Sequence, residues 1–185
     1  MATESDFSVS VQQADFDVGA EIGVLSEGRP EVGAVASFVG LMRDINDGSS
    51  VSAMTLEHYP GMTERALEEI LVQAQHRWSL FGARVIHRFG RLEPADRIVF
   101  VGVASGHRGD AFAACEFIMD YLKTRAPFWK HEETTTGARW VDARERDDSA
   151  AARWGEASTA GRVDDDGNDE LTSDALTWDE IERRR

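Results

Sequence analysis

Residues 97–125 read RIVFVGVASGHRGDAFAACEFIMDYLKTR, and this stretch decides the fold. Its first part is a run of aliphatic and β-branched residues that predicts a strand over 97–104. Its last part predicts a helix over about 110–125, where ten of the twelve residues at 111–122 are apolar or aromatic. Such a helix is buried nearly all round. A strand therefore leads directly into a helix that is buried either in a core or in an oligomer interface.

The elements around this centre follow from the same kind of periodicity. Apolar residues at helical spacing predict an amphipathic helix over 64–79, with Thr63 as its N-cap. A glycine-containing segment at 17–26 predicts a weaker helix. Further strands are predicted at residues 7–13, 32–40, 51–58, 83–89, 128–133 and 138–143. We expect strands 32–40 and 51–58 to pair in antiparallel fashion, because a short loop with an Asp47-Gly48 step joins them.

Two regions of different composition divide the chain. Residues 1–154 carry the predicted elements and form one domain of α+β class, with antiparallel strands and two main helices. Residues 155–185 hold ten Asp or Glu, four Arg and few aliphatic residues, without a sustained period. That composition predicts a disordered acidic tail.

The bulk composition excludes several classes of protein. A net charge of −14 argues against non-specific nucleic-acid binding, and no apolar run approaches the roughly 20 residues of a membrane helix. The N-terminus has no basic start or apolar stretch typical of a secretion signal. Cys115 is the single cysteine, so an intrachain disulfide is impossible and a cytoplasmic location fits. The five histidines show no metal-ligand spacing, and no glycine-rich nucleotide loop is present, so neither a metal nor a cofactor is implied.

The start of the central helix has the features of an anion site. The segment 105–110 places His107 and Arg108 where the strand ends and the helix begins, and unpaired N–H groups there favour anions.

The predicted central helix also carries a polar stripe. Glu116 and Asp120 lie on one face of this helix, and Lys123 continues that face. From spacing alone this polar stripe is either a solvated face or part of a site.

A second basic group follows the central helix. Lys123 and Lys130 flank a short connection in which Pro127 stops the helix and Phe128 and Trp129 supply large apolar side chains. Clustered cations and partial desolvation lower the pKa of a lysine, and a neutral lysine can act as a base or nucleophile. Arg43, at the end of strand 32–40, either binds an anion or faces water.

Taken together, several segments resemble the large, catalytic subunit of molybdopterin synthase over about residues 30–154. The segment that carries most of this resemblance is FIMDYLKTRAPFWKHE, because it is long and idiosyncratic. The resemblance implies an α/β hammerhead fold. The other matching segments, in chain order, are ASFVGLMRD, LEHYPGMTE, VIHRFGRLEPAD, VFVGVASGHR and RWVDAR.

The resemblance also implies a reaction and its partners. Members of this family are sulfurtransferases that convert cyclic pyranopterin monophosphate into molybdopterin, by installing two sulfurs as a dithiolene during molybdenum cofactor biosynthesis. The sulfur arrives as a thiocarboxylate on the C-terminal Gly-Gly of a small ubiquitin-like subunit. The large subunits form a homodimer with one small subunit at each far end, which makes a heterotetramer.

Site residues follow from the same resemblance, position by position. It implies that Lys123 lies beside the inserted glycine tail and that Lys130 is a second active-site lysine, so these two are the candidate catalytic residues. The candidate substrate-binding residues are Arg43, His107, Arg108, Leu41, Met42, His131 and Glu132.

Two other functions compete with this interpretation. A persulfide sulfurtransferase would use Cys115, but a thiol in the middle of an apolar helix is more often a buried core residue than a nucleophile. A non-catalytic phosphate- or pterin-binding module would need the same basic residues. An assay with thiocarboxylated small subunit and the pterin precursor distinguishes this second alternative, because a binding module would form no dithiolene product.

Overall fold

The computed structural model describes residues 6–46, 49–134, 137–141 and 145–156. Within them it has nine strands and four helices. The helices are α1 (Val18–Ser26), α2 (Met62–Arg77), α3 (Arg108–Arg125) and α4 (Glu145–Glu156). The strands are β1 (Phe7–Gln12), β2 (Ala34–Leu41), β3 (Ile45–Asn46), β4 (Ser49–His58), β5 (Leu80–Arg88), β6 (Gly90–Leu92), β7 (Arg97–Ser105), β8 (Phe128–Thr134) and β9 (Gly137–Val141).

The strands form two sheets. The main sheet has the order β1-β5-β7-β2, in which β1 and β5 are parallel and the other neighbours antiparallel. The second sheet has the order β3-β4-β8-β9, with β6 also paired to β4. The predicted α+β class is therefore confirmed, with one parallel pair among antiparallel strands.

Strand β7 lies at the centre of the core because both of its faces are covered. Helices α2 and α3 pack on one face of the main sheet, where Val99, Val101 and Val103 join the largest core cluster. Helix α1 packs on the other face, beside Phe100. A strand buried on both faces has a continuous apolar sequence, which explains the run RIVFVGVA. A Cβ on Gly102 would lie 2.7 Å from a Leu25 methyl carbon, so glycine permits the close approach of α1.

The expected pairing of β2 with β4 is wrong. β2 pairs with β7 in the main sheet, whereas β4 pairs with β3, β6 and β8 in the second sheet. The chain therefore changes sheet between these two strands, and the hairpin partner of β4 is the two-residue β3. The Asp47-Gly48 step lies outside the described residues.

The predicted N-cap of α2 is also wrong. The helix begins at Met62, and Gly61 is the N-cap, at φ +80°, where glycine is favoured. The Gly61 amide donates to the Glu64 carboxylate at 2.6 Å. Thr63 lies inside the first turn and is fully buried. Its hydroxyl donates to the carbonyl of Pro127 and does not cap the helix.

The polar stripe on α3 binds α4, a helix that the sequence pattern does not predict. Arg153 Nη2 lies 2.7 Å from Glu116 Oε1 and 2.7 Å from Asp120 Oδ2, and the Trp154 indole donates to Asp120 at 2.7 Å. The Trp154 ring also packs edge-on against Phe117. The acidic stripe therefore holds α4 in place and is not simply a solvated face.

Candidate active site

The two ends of the main sheet provide the reference for locating the candidate residues. We call the end where β7 begins, at Arg97, the lysine end, and the end where β7 finishes, at Ser105, the loop end. Leu41 pairs with Arg97, so β2 finishes at the lysine end. Helix α3 starts beside Ser105 and runs back across β7 and β2. Its last turn, with Lys123, therefore also lies at the lysine end.

Lys123 occupies an exposed position in the last turn of α3. Helix α3 ends at Arg125, and the amide of Ala126 closes it by donating to the Leu122 carbonyl at 3.2 Å. Pro127 then prevents continuation. A cation in the last turn is favoured by the partial negative charge of the helix C-terminus. This position places Lys123 at the surface on a rigid element.

Lys130 lies on β8 and pairs with a buried carboxylate. Its Nζ is 2.5 Å from Glu132 Oε1, and the Glu132 side chain is 1% exposed whereas that of Lys130 is 33% exposed. Successive side chains of a strand point to opposite faces, so Lys130 and Glu132 share one face of β8. His131 lies on the other face, opposite Thr55 of β4. The structure therefore joins Lys130 to Glu132 and places His131 apart from this pair.

Arg43 follows β2 at the lysine end. Leu41 is 53% exposed and Arg43 is exposed, while Met42 between them is 5% exposed and packs in the core cluster of the second sheet. The backbone of Met42 donates to the Asp96 carbonyl and accepts from the Ala95 amide, each at 2.9 Å. Met42 thus anchors the segment from inside, and its two neighbours face outward.

His107 and Arg108 lie at the loop end. Fifteen residues of α3 separate Arg108 from Lys123, which corresponds to about 22 Å at 1.5 Å per residue. Within one chain the structure therefore brings Arg43 and Lys123 to the lysine end. Phe128, two residues before Lys130, stacks on His87 of β5, which pairs with Val99 near that end. The structure places the His107–Arg108 pair at the other end.

The loop before α3 is held by buried polar contacts. The Ser105 hydroxyl donates to the Ser79 carbonyl at 2.8 Å and accepts from the His107 amide at 3.3 Å. A Cβ on Gly33 would lie 2.2 Å from the Gly106 carbonyl oxygen, so only glycine fits at that crossing. His107 is the N-cap of α3 and makes no side-chain capping bond. The His107–Arg108 pair thus stands on a rigid base with helix N–H groups beside it.

The chain contains only two lysines among its 20 basic residues, and they are Lys123 and Lys130. The other 18 are arginines. Lysine differs from arginine in that its pKa responds to burial and to nearby charge, which suits proton transfer. The rarity of lysine in the sequence therefore marks the same two residues as the family resemblance.

His87 is a buried group beside this site. Its ring stacks on Phe128 with 3.7 Å between centroids and an interplanar angle of 19°. Burial lowers the pKa of His87 from its ordinary 6.5 to about 4, while the Arg88 carbonyl at 2.9 Å acts in the opposite direction and nearby His58 lowers it further. The ring is therefore neutral at pH 7.

We expect His87 to make stability depend on pH. In the unfolded chain His87 binds a proton near pH 6.5, whereas in the folded chain it does so only near pH 4. The free energy of unfolding therefore decreases as the pH falls from about 6.5 to about 4. The loss amounts to about 2 kcal/mol between pH 6.5 and 5. We measure the free energy of unfolding by urea at several pH values. This free energy should depend less on pH in His87→Leu than in the wild type. An equal dependence on pH in both proteins would contradict the assignment of His87 as buried and neutral.

Cys115 is a core residue. It is 7% exposed within the main cluster, its thiol lies 3.9 Å from the Val101 carbonyl, and burial raises the pKa of the thiol to about 11. These features contradict a persulfide mechanism, which needs an accessible thiolate.

We expect Cys115→Ser to retain the wild-type turnover number, with a stability cost of about 1 kcal/mol for a hydroxyl in an apolar site. Iodoacetamide should label Cys115 in urea and leave the native protein unlabelled. Loss of turnover in the folded variant would restore the persulfide alternative.

Among residues 6–46, 49–134, 137–141 and 145–156, no cluster of His, Cys, Asp or Glu could hold a metal ion. In the same part of the chain, no helix is long and apolar enough to span a membrane.

Comparison with known proteins identifies the family. The MoaE protein family model matches residues 11–125. A molybdopterin synthase catalytic subunit from Ralstonia nicotianae is 68% identical over 148 residues, covering 80% of this chain and 84% of the relative. The subunit of the same name from Escherichia coli K12 is 57% identical over 150 residues, covering 81% and 99%.

A solved structure supports the same conclusion. A molybdopterin biosynthesis MoaE protein from Burkholderia ambifaria MC40-6 is 54% identical, with a TM-score of 0.69, over 84% of this chain and 99% of that one. The match in sequence extends through the segment with both lysines, and the match in fold includes the strand and helix of the central core. This chain therefore belongs to the MoaE family, the catalytic subunits of molybdopterin synthase.

Proposed function

We propose that this chain completes the dithiolene of molybdopterin by transferring two sulfurs to cyclic pyranopterin monophosphate, with Lys123 and Lys130 as catalytic residues. One observation carries the assignment of residues. The only two lysines of the chain flank one short connection, at the same end of the main sheet as Arg43. Because the relatives are catalytic subunits, a purely binding module no longer fits this chain.

The charge of the reactants explains the basic residues. The pterin precursor carries a cyclic phosphate, and the sulfur donor carries a thiocarboxylate, so both are anions. Lys123, exposed on the last turn of α3, receives the thiocarboxylate and supplies or accepts protons there. Lys130 acts at the pterin, held by Glu132 at 2.5 Å. Charge that develops as the cyclic phosphate opens is stabilised by these fixed cations and by Arg43.

The donor is a small ubiquitin-like subunit whose C-terminal Gly-Gly carries the thiocarboxylate. Relatives with this name are subunits, so those enzymes contain a further chain. The single cysteine, Cys115, allows no intrachain disulfide, and on this ground we place the protein in the cytoplasm. No cofactor is required beyond the pterin itself, which is substrate and product.

A homodimer explains the separation of the two basic groups. His107 and Arg108 lie about 22 Å from Lys123 along α3 of one chain. In a dimer the loop end of one copy can approach the lysine end of the other and complete its anion site. Mixing a Lys123→Ala chain with an Arg108→Ala chain then regenerates one intact site per mixed dimer. If the pair serves its own chain, the mixture stays inactive.

Reconstitution tests the proposed reaction. The purified chain is mixed with thiocarboxylated small subunit and cyclic pyranopterin monophosphate, and the dithiolene product is measured after oxidation to a fluorescent pterin. We expect two sulfurs to be consumed for each product formed. Tight binding of both reactants without dithiolene would overturn the proposal.

A further inference from the structure

The connection between the two lysines is tied to α2 by a buried hydroxyl. Thr63 is 0% exposed, and its Oγ1 donates to the Pro127 carbonyl at 3.2 Å. The same oxygen accepts from the Tyr59 amide, also at 3.2 Å. Pro127 lies between the end of α3 and the start of β8. This bond thus joins segments that are 64 residues apart, at the point where the connection belongs to no helix or strand.

The next residue of the connection is fixed by an aromatic stack. Phe128 lies flat against His87, and His58 lies 6.4 Å away on the paired strand β4. His87 Nδ1 is 2.9 Å from the Arg88 carbonyl. A carbonyl oxygen only accepts, so Nδ1 carries the hydrogen, and this bond sets the orientation of the ring. The His87 ring is 6% exposed and held in one orientation, so it provides a fixed surface on which Phe128 stacks.

We infer that Thr63 and His87 are positioning residues, which fix Pro127 and Phe128 and thereby set the relative placement of Lys123 and Lys130. This inference rests on the proposed function of the two lysines. Lys123 is four residues before Pro127, and Lys130 is two residues after Phe128. A shift of the connection displaces either ammonium group, and a displacement of about 1 Å at a reacting centre can lower a rate by about 100-fold.

The inference predicts different effects for two changes at Thr63. Thr63→Val removes the hydroxyl and keeps the branched shape, so kcat for dithiolene formation should fall about 10- to 100-fold with KM within about threefold. Thr63→Ser restores the hydroxyl, and its kcat should return to within about threefold of the wild type. Ser26→Ala is the matched control, because it removes a hydroxyl bond to the Ile22 carbonyl in α1, away from the connection. Its kcat should not change.

A second variant covers the possibility that Thr63→Val fails to fold. Phe128→Leu keeps an apolar side chain and removes the ring stack on His87, and Phe128 is partly exposed, so the fold tolerates the change. Hydrogen exchange of a peptide covering residues 126–132 should become faster in both variants and stay unchanged in Ser26→Ala. Exchange at the wild-type rate in both variants would overturn the inference, whatever the role of the lysines.

The lysine content of the chain supplies a direct readout. Reductive methylation with ¹³C-formaldehyde gives NMR signals from the N-terminus and from only two side chains, Lys123 and Lys130. In Thr63→Val we expect the shifts of both lysine signals to move, and in Thr63→Ser to match the wild type. Faster exchange and moved signals with unchanged kcat would also overturn the positioning role. Lys123→Ala, assayed in parallel, reports separately on the proposed function.

Discussion

Lys123→Ala is expected to lower kcat for dithiolene formation by at least ~10³-fold and to leave the fold intact. Lys123 is exposed on the last turn of α3, and alanine is a better helix former than lysine, so the change costs little stability. The loss in rate has the size expected when a fixed cation or proton donor is removed from a developing negative charge. Single-turnover kinetics with thiocarboxylated partner measure the rate, and thermal melting measures the fold.

Two further variants sharpen this test. Lys123→Arg keeps the positive charge but holds its proton at all accessible pH values. It should recover most of the rate if Lys123 acts only as an electrostatic anchor, and very little if a proton moves through its amine. Arg65→Ala removes an exposed cation from α2 and should turn over like the wild type. Substantial turnover by Lys123→Ala would contradict the assignment of this residue.

The sequence predicted the local elements well because their signals are local. The apolar run of β7 and the helical spacing of α2 and α3 each appear within one window, and the observed strands and helices follow them within a few residues. The pairing of strands that are distant in the sequence leaves no comparable local pattern. β2 and β4 are joined by a short loop and look like a hairpin, yet the chain crosses between sheets there.

Tertiary contacts explain the other differences. The acidic stripe Glu116–Asp120 looks solvated when α3 is considered alone, and only the position of Arg153 on a later helix shows that both carboxylates form ion pairs there. Threonine is a common N-cap residue, but after the Pro60-Gly61 turn the helix already begins at Met62. The Thr63 hydroxyl instead donates to the Pro127 carbonyl. Residue type predicted the polarity at these positions but not the partner.

The candidate site shows the same division. Sequence spacing identified the basic residues, and the motif that carries the family resemblance contains both lysines. Sequence alone gives no distance between His107 and Lys123, whereas the rise of α3 separates them by about 22 Å in one chain. Nor does it reveal that Glu132 is buried against Lys130 while His131 faces the other side of β8. Those properties depend on strand pairing, which lies outside a local window.

Lys130→Met is expected to remove turnover and to destabilise the protein, in contrast to Lys130→Arg. Glu132 is 1% exposed, and its Oε1 lies 2.5 Å from the Lys130 ammonium. Loss of that ammonium removes a close partner from a buried carboxylate, which costs about 2 kcal/mol once the partial exposure of Lys130 is considered. The melting temperature should fall by about 4–8 °C. Lys130→Arg should keep most of this stability and lose at least ~10-fold in kcat.

The double variant Lys130→Met, Glu132→Leu separates the two effects. With both charges replaced by apolar groups, no buried carboxylate remains, so the melting temperature should recover relative to Lys130→Met alone. Turnover should not recover, because the ammonium group is still missing. Recovery of stability without recovery of rate assigns the ion pair to the fold and the lysine to the reaction. Equal recovery of both would mean that Lys130 affects the rate only through folding, and the catalytic role would be withdrawn.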